Sequence, residues 1–216
     1  MEHDPILQVT SPCAVISGDN VDTDQIIPSR EIKGASRTGL SAGLFANQRY
    51  KNPDTREPDP QFVLNIPPFD RAEIILCERN FGCGSSREHA VWALKEFGVK
   101  IIFAESFGEI FFENCINNGI APIEIANDRA VEIRNILTAA NDKVVRVDLE
   151  TLQIEIDTPA VKQFSFSMRP SIQQRLTQGL DAIGLTAAYH QDIADHIRRD
   201  QQMRPWVYQN NAQERK

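Results

Sequence analysis

The sequence contains no apolar run approaching the roughly 18 residues that a membrane-crossing helix needs. Its opening, MEHDPILQVTSP, is acidic and broken by proline, unlike the basic and then apolar start of a secretory leader. Both absences lead to the expectation of a cytoplasmic protein with no membrane role. Paired cysteines are missing as well. Cys13, Cys77, Cys83 and Cys115 are widely spread and form no CxxC pair. Structural zinc and iron–sulfur sites use tighter spacing, so no metal is expected on this chain. Disulfides are not expected in a reducing compartment. Cys13, Cys77 and Cys115 therefore read as small buried apolar residues.

Positive charge is in short supply. There are 23 Lys and Arg against 30 Asp and Glu, a net charge of −7. No basic stripe is interleaved with aromatics, and the balance argues against nucleic acid and anionic membranes as partners. A phosphate loop ending in GK[ST] is absent, which disfavours a nucleotide. The GxSxG elbow of many serine hydrolases is absent too.

What is present is a chain of 216 residues, long enough for one domain with a sizeable core. Its middle alternates strand and helix. AEIILC (72–77), VKIIFA (99–104) and APIEIA (121–126) are short apolar runs that read as buried strands. SREHAVWALKEF (86–97), SFGEIFFENCINN (106–118) and NDRAVEIRNILTAA (127–140) follow them at helical period. Ser85 with Glu88 and Ser106 with Glu109 have capping-box spacing, and Asn127 or Asp128 is the expected cap of the third helix. Such alternation predicts a parallel sheet covered by helices. The flanks differ. CAVIS (13–17) reads as an early strand, and 144–156 as two strands around a turn at Asp148–Thr151. FSFS (164–167) is a further strand, RPSIQQRLTQG a helix, and GLTAAYHQDIADHIRRD a last helix. ANQRYKNPDTREPDPQ (46–61) is polar with three prolines and reads as a surface excursion. The expected organisation is one domain over 1–200 and a polar tail over 201–216.

Two stretches carry chemistry. In FGCGSSREHA (81–90), glycines flank Cys83, then come Ser85, Ser86, Arg87, Glu88 and His89. One reading is a glycine-flanked helix cap. A second is an anion site. A turn into a helix presents free N–H groups and the positive end of its dipole. Arg87 suits carboxylate or phosphate. A third is a cysteine nucleophile at Cys83, whose pKa a helix N-terminus would lower. His89 lies six residues on, in the helix, and is not an obvious partner for it. The other stretch is GDNVDTDQIIPSR (18–30), where Asp19, Asp22 and Asp24 crowd one loop. A calcium loop counted from Asp19 would need Gly sixth and Glu twelfth, but Asp24 and Arg30 stand there. An Asx-rich turn or a polar active-site loop remains.

NVDTDQIIPSR, NFGCGSSREHAVWAL, SFGEIFFENCINNGIAPI and GLDAIGLT occur in that order, within about residues 5–200. Together they resemble the small subunit of bacterial 3-isopropylmalate dehydratase, in the aconitase superfamily. The resemblance implies an α/β fold, the swivelling β/β/α domain found last in single-chain aconitases, with a parallel βα core and additional strands. It implies a large-subunit partner carrying a [4Fe–4S] cluster, no cofactor on this chain, and no activity alone. The implied reaction converts 2-isopropylmalate to 3-isopropylmalate through 2-isopropylmaleate, in leucine biosynthesis. A proton leaves the carbon beside a carboxylate, and a hydroxyl leaves with Lewis-acid help from the cluster.

By resemblance, Ser85 is the base. A free serine hydroxyl is too weak an acid for that, so backbone donors and a cation must support its alkoxide, as Gly84 to Arg87 could. Arg87 is then the carboxylate-binding arginine, and Ser86 a neighbouring donor. With Ser85 as base, Ser86 becomes the better helix cap. Asp24 matches an acidic residue that reaches the site, and Arg37 roughly matches a second substrate-binding arginine. Arg30, Glu31 and Ile32 fall in the loop that distinguishes an isopropyl group from a carboxylate or methyl. Here that loop reads PSREIKGASRTG, with a charged pair where aromatic and aliphatic residues are expected. A related hydratase acting on citramalate or another methyl-substituted malate is therefore the alternative.

Overall fold

The computed structural model describes residues 3–32, 34, 36–52, 54–139, 144–158, 161–187 and 189–208. In chain order the strands are β1 (Gln8–Val15), β2 (Tyr50–Asn52), β3 (Glu57–Pro58), β4 (Ile74–Leu76), β5 (Ile101–Ala104), β6 (Ala121–Glu124), β7 (Val144–Asp148), β8 (Gln153–Ile156) and β9 (Lys162–Ser165). The helices are α1 (Thr23–Ile26), α2 (Ala46–Arg49), α3 (Glu88–Phe97), α4 (Glu109–Asn117), α5 (Asn127–Thr138), α6 (Pro170–Gln178), α7 (Ala182–Ala187) and α8 (His190–Met203).

Seven strands form one sheet in the order β6-β5-β4-β1-β7-β8-β9. One half, β1 with β4, β5 and β6, is parallel. The other half is antiparallel from β1 through β7 and β8 to β9. The two halves are written differently in sequence. IIL and IIFA are unbroken apolar runs because helices cover both faces of the parallel half, and every residue in them is buried. In β7 and β8, Val145, Val147, Ile154 and Ile156 face the core. Arg146 and Glu155 face outward and pair across the strands at 3.3 Å.

The steps β1 to β4 to β5 to β6 all move the same way along the sheet. Right-handed crossovers then place the intervening segments on one face. Ile75, Cys77, Ile102 and Ala104 pack there with Ala90, Val91 and Leu94 of α3 and Phe111 and Cys115 of α4. After β6 the chain returns over the other face to reach β7. Ile74, Leu76, Ile101 and Phe103 pack there with Ala130, Ile133 and Leu137 of α5 and Ile172 and Leu176 of α6.

Several expectations need correction. β1 begins at Gln8, well before 13–17, because its polar first residues pair with β7 from Gln8↔Asp148 to Pro12↔Val144. None of the expected helix caps forms. α3, α4 and α5 follow Arg87, Gly108 and Ala126, and no side chain caps any of the three. The Ser106 hydroxyl instead accepts from the Asn80 N–H at 2.9 Å, because the segments before α3 and α4 bond to each other. Phe81 N–H donates to Ser106 O at 3.0 Å, and Gly108 N–H to Phe81 O at 2.9 Å.

The single last helix is two, α7 and α8. The excursion at 46–61 holds α2 and a ribbon of β2 and β3. α8 runs through residue 200 and is followed by a 3-10 turn at Pro205–Val207. Buried Asp200 accepts from Arg204 Nε and Tyr208 Oη, both at 2.7 Å. Residues 209–216 of the expected tail lie outside the described residues. The turn at Asp148–Thr151 is as read, with the Asp148 carboxylate accepting from the N–H groups of Glu150 and Thr151.

Candidate active site at the ends of β1 and β4

In open α/β sheets, sites form beyond the carboxyl ends of parallel strands. Here the loop after β1 and the turn after β4 meet at that edge. Gly82 N–H donates to Val21 O at 2.7 Å, and Thr23 N–H to Cys83 O at 3.1 Å. Asn80 Nδ2 donates to Asn20 Oδ1 at 2.8 Å, and Arg79 pairs with Asp19 at 2.9 Å. Gly82 has φ +74°, and a Cβ there would sit 2.2 Å from the ring of Phe111. Only glycine lets the turn lie against that ring. Gly84, at φ +86°, completes the reversal.

Part of this was unread in the sequence. The Asp-rich loop is not merely a turn. Its Asp22 begins α1 with a reciprocal capping box. Asp22 Oδ1 accepts from Gln25 N–H at 2.8 Å, and Gln25 Oε1 from Asp22 N–H at 3.0 Å. The D-x-x-Q spacing was the available signal. α1 turns Thr23 inward and leaves Asp24 exposed.

Ser85 and Ser86 are exposed, and Arg87 is half-buried. The Ser85 carbonyl accepts from Thr23 Oγ1 at 3.0 Å and from Arg87 N–H at 2.8 Å. Arg87 is the residue before the first turn of α3, and Ser86 does not cap that helix. No side chain accepts from the first-turn N–H groups of α3, which lie at the positive end of the helix dipole, and the Ala90 N–H turns back to the Arg87 carbonyl at 3.2 Å. Arg87 Nη1 donates to Asp24 Oδ1, which also accepts from Ser29 Oγ at 3.0 Å. The Arg87 hydrogen bond, with help from Ser29, holds the Asp24 carboxyl below the usual carboxylate range. The structure thus gathers Asp24, Gly84, Ser85, Ser86 and Arg87 at one edge. Two exposed hydroxyls, a guanidinium and uncapped N–H groups suit a small substrate bearing carboxylates.

Arg37 lies along the flank of α3, its guanidinium 4.6 Å from the centre of the Trp92 ring. The loop carrying it is strapped to α3 by Glu96, which accepts from the N–H groups of Gly39 and Ser41, both at 2.6 Å. Burial works against the Glu96 charge, yet the N–H groups of Ser41, Gly39 and Leu40 hold its carboxyl below the usual range. His89 packs on the same Trp92 ring, with centroids 4.7 Å apart, and is no partner for Cys83. Cys83 Sγ lies 3.4 Å from Asn20 O.

In the loop expected to set specificity, Glu31 is turned into the body, its side chain only 8% exposed, and pairs with Arg56 and with Arg30 Nε at 3.4 Å. Ile32 packs against the core, and Arg30 Nη2 donates to Asn47 Oδ1. Glu31 is therefore held by two arginines, one of them outside the loop, while the Arg30 side chain stays about half exposed. Arg56, from the ribbon, is the residue that sequence reasoning missed. No local pattern marks it, because its partner lies 25 residues away.

Cys13, Cys77 and Cys115 are buried, and burial pushes all three thiols up. Among the described residues, no group of three or more His, Cys, Asp or Glu is placed to hold a metal ion. No helix among them is long and apolar enough to cross a membrane.

The aconitase C-terminal domain profile matches residues 4–128. The chain is 46% identical over 190 residues to a 3-isopropylmalate dehydratase small subunit from Cupriavidus necator, spanning 88% of this chain and 90% of that one. A small subunit of the same name from Sinorhizobium medicae is 38% identical over 204 residues, 94% of this chain and 100% of the relative. Among solved structures, a 3-isopropylmalate dehydratase from Methanocaldococcus jannaschii superposes with a TM-score of 0.63 at 26% identity, over 88% of this chain and 99% of that one. The chain belongs to the aconitase C-terminal domain family and, within it, to the 3-isopropylmalate dehydratase small subunits.

Proposed function

We propose that this chain is the small subunit of a two-chain hydro-lyase that interconverts 2-isopropylmalate and 3-isopropylmalate through 2-isopropylmaleate, in cytoplasmic leucine biosynthesis. The observation that carries the residue roles is the exposed Ser85 hydroxyl beside the Arg87–Asp24 pair, at the uncapped start of α3. Ser85, as alkoxide, takes the proton from the carbon beside a carboxylate. The electron pair left behind forms the carbon–carbon double bond as the hydroxyl departs from the neighbouring carbon. Hydroxide then adds to the carbon that lost the proton, and Ser85 gives its proton to the carbon that lost the hydroxyl, which returns Ser85 to the alkoxide. Arg87 binds a substrate carboxylate and supports the alkoxide. Asp24 keeps the guanidinium aimed at the site, Ser86 and Gly84 line it, and Arg37 supplies a second cation.

The site is open on its outer side, where a large subunit completes it. Iron–sulfur ligation needs thiolates. The buried, protonated thiols of Cys13, Cys77 and Cys115 do not fit that role. The [4Fe–4S] cluster of the reaction is accordingly assigned to the large subunit. The test is reconstitution. This chain alone turns over no isopropylmalate, and adding a cluster-loaded large subunit restores interconversion. A panel containing citramalate checks the substrate, and turnover of citramalate equal to or better than isopropylmalate would move the reading to a methylmalate hydratase.

A further inference from the structure

We propose that Thr23 is the positioning residue of the Ser85 turn, an inference that rests on the proposed role of Ser85. Thr23 is polar yet only 2% exposed. It holds the turn at two points, its N–H on Cys83 O at 3.1 Å and its hydroxyl on Ser85 O at 3.0 Å. Between those points lies Gly84, at φ +86°. A glycine-flanked turn on the surface would otherwise sample many conformations. Thr23 is β-branched, so its χ1 is stiff, and it sits in the first turn of a helix fixed by its own capping box. Its hydroxyl is a rigid post in the wall beneath a mobile kind of sequence.

A trans peptide sets its N–H opposite its C=O. With the Ser85 carbonyl held on Thr23, the Ser86 N–H is directed away from the body, to the open side of the turn. The same carbonyl also accepts from Arg87 N–H at 2.8 Å. Two donors on one carbonyl polarise the peptide and strengthen its N–H as a donor. Thr23 therefore does not touch substrate. It sets the direction of the Ser85 side chain and offers the Ser86 N–H to developing negative charge.

Thr23→Val keeps the shape and removes the hydroxyl, while Thr23→Ser keeps the hydroxyl. Each is reconstituted with the cluster-loaded large subunit and assayed over a range of 2-isopropylmalate. Thr23→Val lowers kcat roughly 10- to 100-fold with KM changed less than about threefold, and Thr23→Ser returns kcat to within about threefold of the parent. In the 15N-labelled full chain, the Ser86 amide proton moves upfield in Thr23→Val and stays in place in Thr23→Ser. A Thr23→Val enzyme within about twofold of the parent kcat overturns the proposal. So does equal damage from Val and Ser, or a Ser86 amide that does not move. Should the Val chain not fold, Thr23→Ala is read by the same two measurements. Ser85→Ala is run alongside. If it retains full turnover, the role of Ser85 fails, and the amide shift still decides the role of Thr23.

Discussion

Arg87 sits where a helix dipole disfavours a cation, by about 0.3–1 kcal/mol in ordinary exposed cases. Asp24 offsets that cost by direct pairing, and the pairing also fixes where the guanidinium points. The ordinary Asp pKa is about 3.9. The Asp24 carboxyl titrates lower in the folded chain, so the unfolded chain binds its proton first as pH falls. Its stabilising contribution is complete above the ordinary value and is lost as pH drops through the lower folded pKa. Asp24→Asn is expected to lower the melting temperature at neutral pH and to narrow its gap to the parent below about pH 4. A gap that stays constant from pH 7 to pH 3 would contradict the pairing. The cysteines give a second residue-scale outcome. Native chain treated with iodoacetamide should gain adduct on half-exposed Cys83 alone, while Cys13, Cys77 and Cys115 react only after denaturation. Mass spectrometry reads the sites directly, and labelling of Cys77 in native chain would speak against its burial. Residue identities here were legible in FGCGSSREHA and NVDTDQ. The partners of Glu31 and of the Ser85 carbonyl were not, because they lie 25 and 62 residues away in the chain.

The elements were legible where a single physical signal decides them. Ile74–Leu76 and Ile101–Ala104 are apolar on both faces, as suits short strands covered on both sides. Helix starts were less legible. Ser85, Ser106 and Asn127 stand at spacings that favour capping, yet none of them caps. Residues 81 and 106–108 bond to each other instead, which takes Ser106 out of any capping role. At α3, Ser85 is exposed and caps no backbone N–H group. Gly82 is the hinge of that arrangement. Gly82→Ala would drive a methyl into the Phe111 ring and force a left-handed backbone on alanine. It should cost about 1–3 kcal/mol or more in urea unfolding, with the midpoint shifted and the slope kept. A variant as stable as the parent would mean that Phe111 moves aside freely, and that the turn does not depend on this close approach.

At the scale of the whole molecule, one crossover direction puts β1 and β4 side by side with their carboxyl ends together. That single fact brings residues 19–24 to residues 79–87. The alternation of strand and helix predicted the parallel half. The hairpin at 144–156 and the strand near 164 were also read from the residues, but the reversal of direction after β6 and the placing of α5 on the far face were not, because no local pattern records which face a helix covers. The resulting molecule presents Asp24, Ser85, Ser86 and Arg87 on an open edge, and under the proposed function a second chain covers that edge and excludes water. The central claim is that Ser85 on this edge is the base of a shared active site. The most direct measurement is the turnover of 2-isopropylmalate by Ser85→Ala chain reconstituted with a cluster-loaded large subunit. Ser85 is exposed, so its loss should change stability by no more than about 0.5 kcal/mol. The account predicts a complex that assembles and melts like the parent and turns over at least about a thousandfold more slowly. An assembled Ser85→Ala complex with near-parental turnover would contradict it.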